Sequence, residues 1–215
     1  MKEIYIYGCG GVGNELAEEF ISSNEFKLMG FIDDNANIRE CMGIQSRTFE
    51  EIIREKNIEE INVIISIGEP AIRQKLSDKL ERHGVNEISV DISNHFNPLF
   101  SSIGSGTLLH SNSYVSVNAQ IGKCCMINKY VLVGHDCVIG DYSVLSPRVT
   151  LGGNVTIGEK SYVGTGAIIR NGITIGKNVI IGMGAVVVKD IEDGVVVVGN
   201  PAKFIRKNES HRVFK

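Results

Sequence analysis

No apolar run in this 215-residue chain approaches the roughly 20 residues that a membrane-crossing helix needs, so a spanning segment is not expected. Proline is scarce, at 4, and apolar (43%) and charged (22%) fractions are near globular averages, which excludes collagen and a disordered chain. The five cysteines (Cys9, Cys41, Cys124, Cys125, Cys137) form no C-x-x-C pair, and an odd count argues against a disulfide framework. A reducing, cytoplasmic setting follows as the expectation. The opening Met-Lys-Glu-Ile runs straight into a strand-like segment, with no charged-then-apolar leader. The net charge of −3 is too small for a general nucleic-acid binder.

Glycine is abundant and uneven, with 8 in residues 1–100 and 16 in residues 101–215. Charge divides at the same place. Residues 1–100 carry 10 Lys+Arg against 18 Asp+Glu, and residues 101–215 carry 12 against 7. Two differently built halves follow, with a mildly basic second half suited to an anionic co-substrate.

The first half alternates β-prone runs with helical spacing. Ile4-Tyr5-Ile6-Tyr7 leads into Gly8-Cys9-Gly10-Gly11-Val12-Gly13 and the helix-like Asn14–Ile21. Further runs, 27–32 and 61–67, end in Asp33-Asp34 and Gly68-Glu69-Pro70, and helical spacing resumes at Ala71. This predicts a small Rossmann-like parallel sheet over residues 1–90. Gly8, Gly10 and Gly13 fit G-x-G-x-x-G, a turn that lets backbone N–H groups and a helix N-terminus approach a phosphate. Asp33 follows Gly13 by 20 residues, where a dinucleotide site places its ribose-binding acid. About 100 residues hold one incomplete Rossmann unit, which suits a nucleotide with one base and a diphosphate better than NAD. The same glycines also suit a sharp strand-to-helix turn with no ligand.

After a linker at 91–102, the second half repeats with period six. Ile103, Leu109, Val115 and every sixth residue to Val187 are aliphatic. The next hexad position is Gly in nine of fifteen, and the fifth is small or β-branched throughout, from Thr107 to Ile191. Hexads of this kind predict a parallel β-helix over 103–198: three make a triangular coil of eighteen residues, and five coils stack. Gly after the buried aliphatic suits a turn of unusual φ/ψ. A narrow interior keeps the fifth position small. No insertion interrupts the hexads from Ile103 to Glu192, so any chemistry must come from side chains on the coils. Residues 199–215 form a tail.

The repeat resembles that of the left-handed β-helical hexapeptide acyltransferases. A small nucleotide-binding unit before it resembles the bacterial sugar acetyltransferases, which include sialic acid O-acetyltransferases and N-acetyltransferases of UDP- or dTDP-linked 4-amino-sugars. The shared landmarks are the Gly8–Gly13 turn, Phe31-Ile32-Asp33-Asp34, Ile67-Gly68 with Arg73, Asn128 with Gly134-His135-Asp136-Cys137, Gly152-Gly153, and Gly199-Asn200-Pro201-Ala202. The resemblance implies a homotrimer with acetyl-CoA along the groove between neighbouring β-helices, and no metal. It implies His135 as the general base that takes a proton from the attacking amine or hydroxyl, with Asp136 orienting the ring. Gly153 would offer its N–H to the thioester oxygen, and Thr165 and Met183 would line the pantetheine path. Val144 would face acetyl-CoA where relatives carry a second His. Gly10, Gly11, Val12, Asp33, Asp34 and Gly68 map onto the nucleotide-sugar contacts.

The expected reaction is direct acetyl transfer to the 4-amino group of a nucleotide-linked amino-sugar. O-acetylation of sialic acid is the alternative, and a non-catalytic sugar-nucleotide-binding trimer comes behind it. Cys137 sits at an inward fifth position, which disfavours a covalent acetyl-cysteine route. A γ-type carbonic anhydrase needs three His, and only His110 and His135 lie in the repeat. A nicotinamide oxidoreductase built on the glycine turn also stays open. Lys203, Arg206 and Lys207 suit CoA phosphates or a solvated tail. His95 and His110 suit structural roles.

Overall fold

Strand β1 (Lys2–Tyr7) is buried from Ile4 onwards, as the central strands of a parallel sheet are. The computed structural model describes residues 1–93 and 95–214; Asn94 of the linker and Lys215 of the tail lie outside the described residues. Residues 1–68 with 75–88 form one unit, and residues 69–74 with 89–215 form the other.

In the first unit β1 is followed by α1 (Gly11–Ser22), β2 (Phe26–Ile32), the hairpin β3 (Glu40–Cys41) and β4 (Ile44–Arg47), and α2 (Phe49–Glu55). Next come β5 (Asn62–Ile65), α3 (Pro70–Arg82), of which residues 75–82 belong to this unit, and β6 (Asn86–Glu87). The sheet order is β3-β4-β2-β1-β5-β6, parallel except for the β3–β4 pair. The three expected apolar strands occupy its centre. Strand β4, Ile-Gln-Ser-Arg, next to the edge, carries no apolar run and is not visible as a strand in composition. Thr48 caps α2: its hydroxyl accepts from the Glu51 N–H while the Glu51 carboxylate accepts from the Thr48 N–H.

The second unit is a left-handed parallel β-helix of two-residue rungs. Its first face stacks Ser102–Ile103, Gln120–Ile121, Val138–Ile139, Thr156–Ile157 and Thr174–Ile175. The second face stacks Leu108–Leu109, Met126–Ile127, Val144–Leu145, Tyr162–Val163 and Ile180–Ile181. The third stacks Tyr114–Val115, Leu132–Val133, Thr150–Leu151, Ile168–Ile169 and Val186–Val187. The aliphatic first and small fifth hexad positions together fill the interior. Val90–Asp91 pairs with Leu108–Leu109, so a rung of the second face forms at the start of the linker. At the far end Val195–Val198 continues that face and turns back as Lys203–Lys207.

The role expected for the repeat glycines needs correcting. The left-handed backbone falls at the fourth hexad position, at every corner from Gly106 to Gly184, and most of these residues are not glycine: Asn112, Asn118, Cys124, Tyr130 and Asp136 all have φ of 50–60°. The second-position glycines answer to close approach instead. A Cβ at Gly104, Gly140, Gly152 or Gly158 would lie 2.5 Å from a backbone atom of the next coil.

The three faces present different surfaces. Outward residues of the second face are buried or nearly so, including Leu108, Met126 and Val144. Residues 69–74 and the tail lie against this side: Arg73, with no exposed surface, donates from Nε to the Cys124 carbonyl (2.7 Å) and from Nη2 to the Cys125 carbonyl (3.2 Å). The Glu69 carboxylate accepts from the N–H groups of Val213 and Phe214, and the Phe214 ring meets Tyr162 edge-on. The third face keeps Tyr114, Leu132 and Ile168 exposed.

Candidate active site

His135 stands at the corner between the third and first faces, 56% exposed in its side chain. Neighbouring side chains on a strand point apart. Here Asp136 has φ 57°, and the left-handed turn swings its carboxylate back onto the ring, with Oδ2 2.6 Å from His135 Nδ1. The Asn118 amide, one coil earlier, donates to the other carboxylate oxygen at 3.0 Å. Hydrogen bonds from the His135 ring and from Asn118 hold the Asp136 carboxyl below the usual carboxylate range. In the neutral ring an Nδ1–H given to the carboxylate leaves the lone pair on Nε2, which makes no hydrogen bond among the described residues.

One coil later Gly153 lies against the same ring, and a Cβ there would overlap His135 Nε2. The Gly153 carbonyl accepts from Gly172, but its N–H makes no hydrogen bond among the described residues. At the equivalent hexad position Lys123 and Lys177 spend theirs on the carboxylates of Asp141 and Asp193. A free acceptor nitrogen and a free backbone donor thus share one corner. Cys137 is buried and its thiol pushed up by burial, so it presents no thiolate.

Other expected co-substrate residues lie elsewhere. Thr165 and Met183 are stacked one coil apart and exposed, Met183 at 81%, but at the corner between the second and third faces. Asn128 occupies that corner too, its Oδ1 accepting from the Lys129 N–H. Within one chain the third face separates them from His135. Val144, the other expected acetyl-CoA contact, lies in the covered second face with its side chain 2% exposed in the single chain. Lys203, Arg206 and Lys207 lie on an exposed strand. His110 is buried, with Nδ1 accepting from the Ser111 N–H, and exposed His95 faces the Tyr114 ring. Among the described residues no group of three or more His, Cys, Asp or Glu is placed to hold a metal ion.

In the first unit β1 is followed by β2 on one side and β5 by β6 on the other, so the strand order reverses between β1 and β5, the switch point at whose carboxyl ends open α/β sheets form a binding crevice. Gly8 has φ +119°, and Gly13 packs so close that a Cβ would overlap the Gly8 carbonyl oxygen. Gly10, Gly11 and Gly68 differ: none has a positive φ, and a Cβ on any would meet nothing within 4 Å. Gly10 caps α1 without a side chain, no acidic residue occupies the first turn, and the N–H groups of Gly11 and Val12 make no hydrogen bond among the described residues. Asp33 braces this turn, accepting from the N–H groups of Cys9 (3.2 Å) and Asn35 (3.0 Å). The Asp34 carboxylate accepts from the Tyr7 hydroxyl (2.7 Å) and from Lys79. Burial and then Asp34 push the Tyr7 phenol up, keeping it a donor.

Residues 3–80 match the family model of the PglD N-terminal domain, and residues 118–153 and 154–189 match that of the bacterial transferase hexapeptide (six repeats). No curated protein matches the chain in sequence. Among solved structures, WeeI from Acinetobacter baumannii is 34% identical over 94% of this chain and 100% of its own, with a TM-score of 0.79. PerB from Caulobacter crescentus, in complex with CoA and GDP-perosamine, is 28% identical over 94% and 97%, with a TM-score of 0.85. The acetyltransferase domain of PglB from Neisseria gonorrhoeae is 28% identical over 95% and 100%, with a TM-score of 0.84.

Proposed function

Because the chain belongs to the hexapeptide-repeat sugar acetyltransferases and is an acetyl-CoA-dependent acyltransferase acting on a sugar nucleotide, we propose that it acetylates the 4-amino group of a UDP- or dTDP-linked amino-sugar, with His135 as general base. The observation that carries this reading is the His135 corner, where Nδ1 is anchored by Asp136, Nε2 is free and the Gly153 N–H is unspent. The sugar amine gives a proton to Nε2 as its nitrogen attacks the thioester carbonyl. The Gly153 N–H stabilises the tetrahedral oxyanion. Collapse breaks the carbon–sulfur bond, and the thiolate of CoA leaves with the proton returned by the imidazolium.

The crevice of the first unit supports a nucleotide-linked acceptor. Gly10, Gly11 and Gly68 are glycine without a backbone or packing reason in the protein itself, which fits a diphosphate lying against them at the α1 N-terminus. Asp33 and Asp34 stand at the end of β2 beside it. A homotrimer is the third part of the reading. The third face leaves Tyr114, Leu132 and Ile168 in an exposed apolar line, and its two edges carry His135 with Gly153 on one side and Thr165 with Met183 on the other. Packing around a threefold axis would bring one copy's His135 corner to another's Thr165 corner, with acetyl-CoA in the groove.

The test is release of CoA thiol from acetyl-CoA with UDP-, dTDP- and GDP-linked 4-amino-sugars and free sialic acid, with products identified by mass spectrometry. The GDP sugar is included because PerB is solved with GDP-perosamine. N-acetylation of a UDP or dTDP sugar, and its fall by roughly 10²–10⁴-fold in His135→Ala, are expected. Parent turnover in His135→Ala removes the general base, and acetylation of sialic acid alone removes the acceptor assignment.

A further inference from the structure

Resting on His135 as the base, we infer that Asn118 is a positioning residue of the acetyl transfer, holding the Asp136 carboxylate in the one orientation that aims Oδ2 at His135 Nδ1. A carboxylate next in sequence to the ring it must orient can rotate about its own side-chain bonds, and nothing in the local backbone prevents that. Asn118 sits eighteen residues before Asp136, one coil away on the same corner, and its Nδ2 donates to Asp136 Oδ1 at 3.0 Å while Oδ2 stays on the imidazole at 2.6 Å. The two bonds use the two oxygens, so the carboxylate is held at both ends and the ring cannot swing without breaking the pair. Asn118 is itself fixed: φ is 59°, a left-handed conformation that asparagine tolerates, and its N–H donates to the Phe100 carbonyl at 2.8 Å.

The other asparagines at left-handed corners provide the contrast. Asn112 has the same backbone, φ 59°, with no side-chain hydrogen bond among the described residues. Backbone geometry alone therefore accounts for Asn112, whereas Asn118 spends its side chain on the catalytic pair. In this role it acts through Asp136, to which its one side-chain hydrogen bond among the described residues goes.

The experiment compares Asn118→Gly, Asn118→Asp, Asn112→Gly and His135→Ala in the full-length protein, with steady-state kinetics across pH and thermal unfolding. Asn118→Gly keeps the left-handed backbone and removes the donor. Its kcat should fall roughly 10–100-fold with KM for acetyl-CoA unchanged, while its Tm drops no more than that of Asn112→Gly. In Asn118→Asp the new carboxyl donates to Asp136 only when protonated, so the ratio of variant to parent kcat should rise as pH falls. A kcat within twofold of parent in Asn118→Gly, a loss confined to KM, or a pH-independent ratio in Asn118→Asp overturns the inference while His135→Ala stays inactive. Full turnover in His135→Ala removes the general-base reading instead, and with it the role given to Asn118.

Discussion

Orienting a histidine with the very next residue is difficult for an L-amino-acid chain, because successive side chains of an extended segment diverge. The left-handed φ of Asp136 resolves this, and Gly153 then leaves room for the ring one coil on. Gly153→Ala should therefore push the imidazole off its position. A fall in kcat of about 10²-fold is expected, with little change in Tm, since the new methyl meets a flexible ring and not backbone. Parent-like kcat would show that the ring has room to spare. His135 and Asp136 were legible in the sequence as a pair at a turn, and their convergence was expected there. The cause was not legible, because the fourth hexad position holds Asn, Cys, Tyr, Asp, Arg and Lys alike, and no residue type announces a left-handed φ. Asn118 was missed for a different reason: it is seventeen residues from His135 in sequence and adjacent only when eighteen is added to its number.

At the scale of the elements, period six marked each rung from Ile103 to Val187, though not those at Val90–Asp91 and Val195–Val198, and it did not say which glycines do what. Second-position glycines are needed because coils approach closely, and fourth-position glycines because of backbone sign. These two requirements respond oppositely to substitution. Gly158→Ala places a Cβ 2.5 Å from the Gly176 carbonyl carbon, a backbone atom that cannot yield cheaply, and should cost about 1–3 kcal/mol. Gly166→Asn keeps φ near 69° in a residue that tolerates it, with nothing within 4 Å of its Cβ, and should lie within about 0.5 kcal/mol of parent. Thermal unfolding of the two variants decides, and equal losses would refute the division. The sheet of the first unit was legible in its apolar centre but not towards its edge, where β4 buries only Ser46 and shows no hydrophobic alternation. Its helix α2 carried a readable signal, Thr48 and Glu51 at capping-box spacing.

For the whole molecule, the division into an acidic first half and a basic second half marked where the architecture changes, though residues 69–74 join the second unit from within the first half's sequence. Period six could not reveal the covering of the second face, because Arg73 and Phe214 reach it from outside the repeat. That covering leaves the third face as the one with a line of large exposed apolar residues, and it separates His135 from Met183 within a single chain. If two copies share each site, two damaged chains should repair one another. A chain carrying His135→Ala retains an intact Met183 corner, and a chain carrying Met183→Glu retains an intact His135 corner. Mixed at equal amounts, unfolded and refolded together as trimers, they would form roughly a quarter of their interfaces from the two intact corners. Each variant alone should be nearly inactive, and the mixture should regain up to about a quarter of parent kcat without change in KM for the acceptor. Dilution to the point where light scattering gives monomer should abolish the recovered rate. A mixture no more active than its components, or a monomer with parent kcat, would place the whole site on one chain and break the link between trimer and transfer.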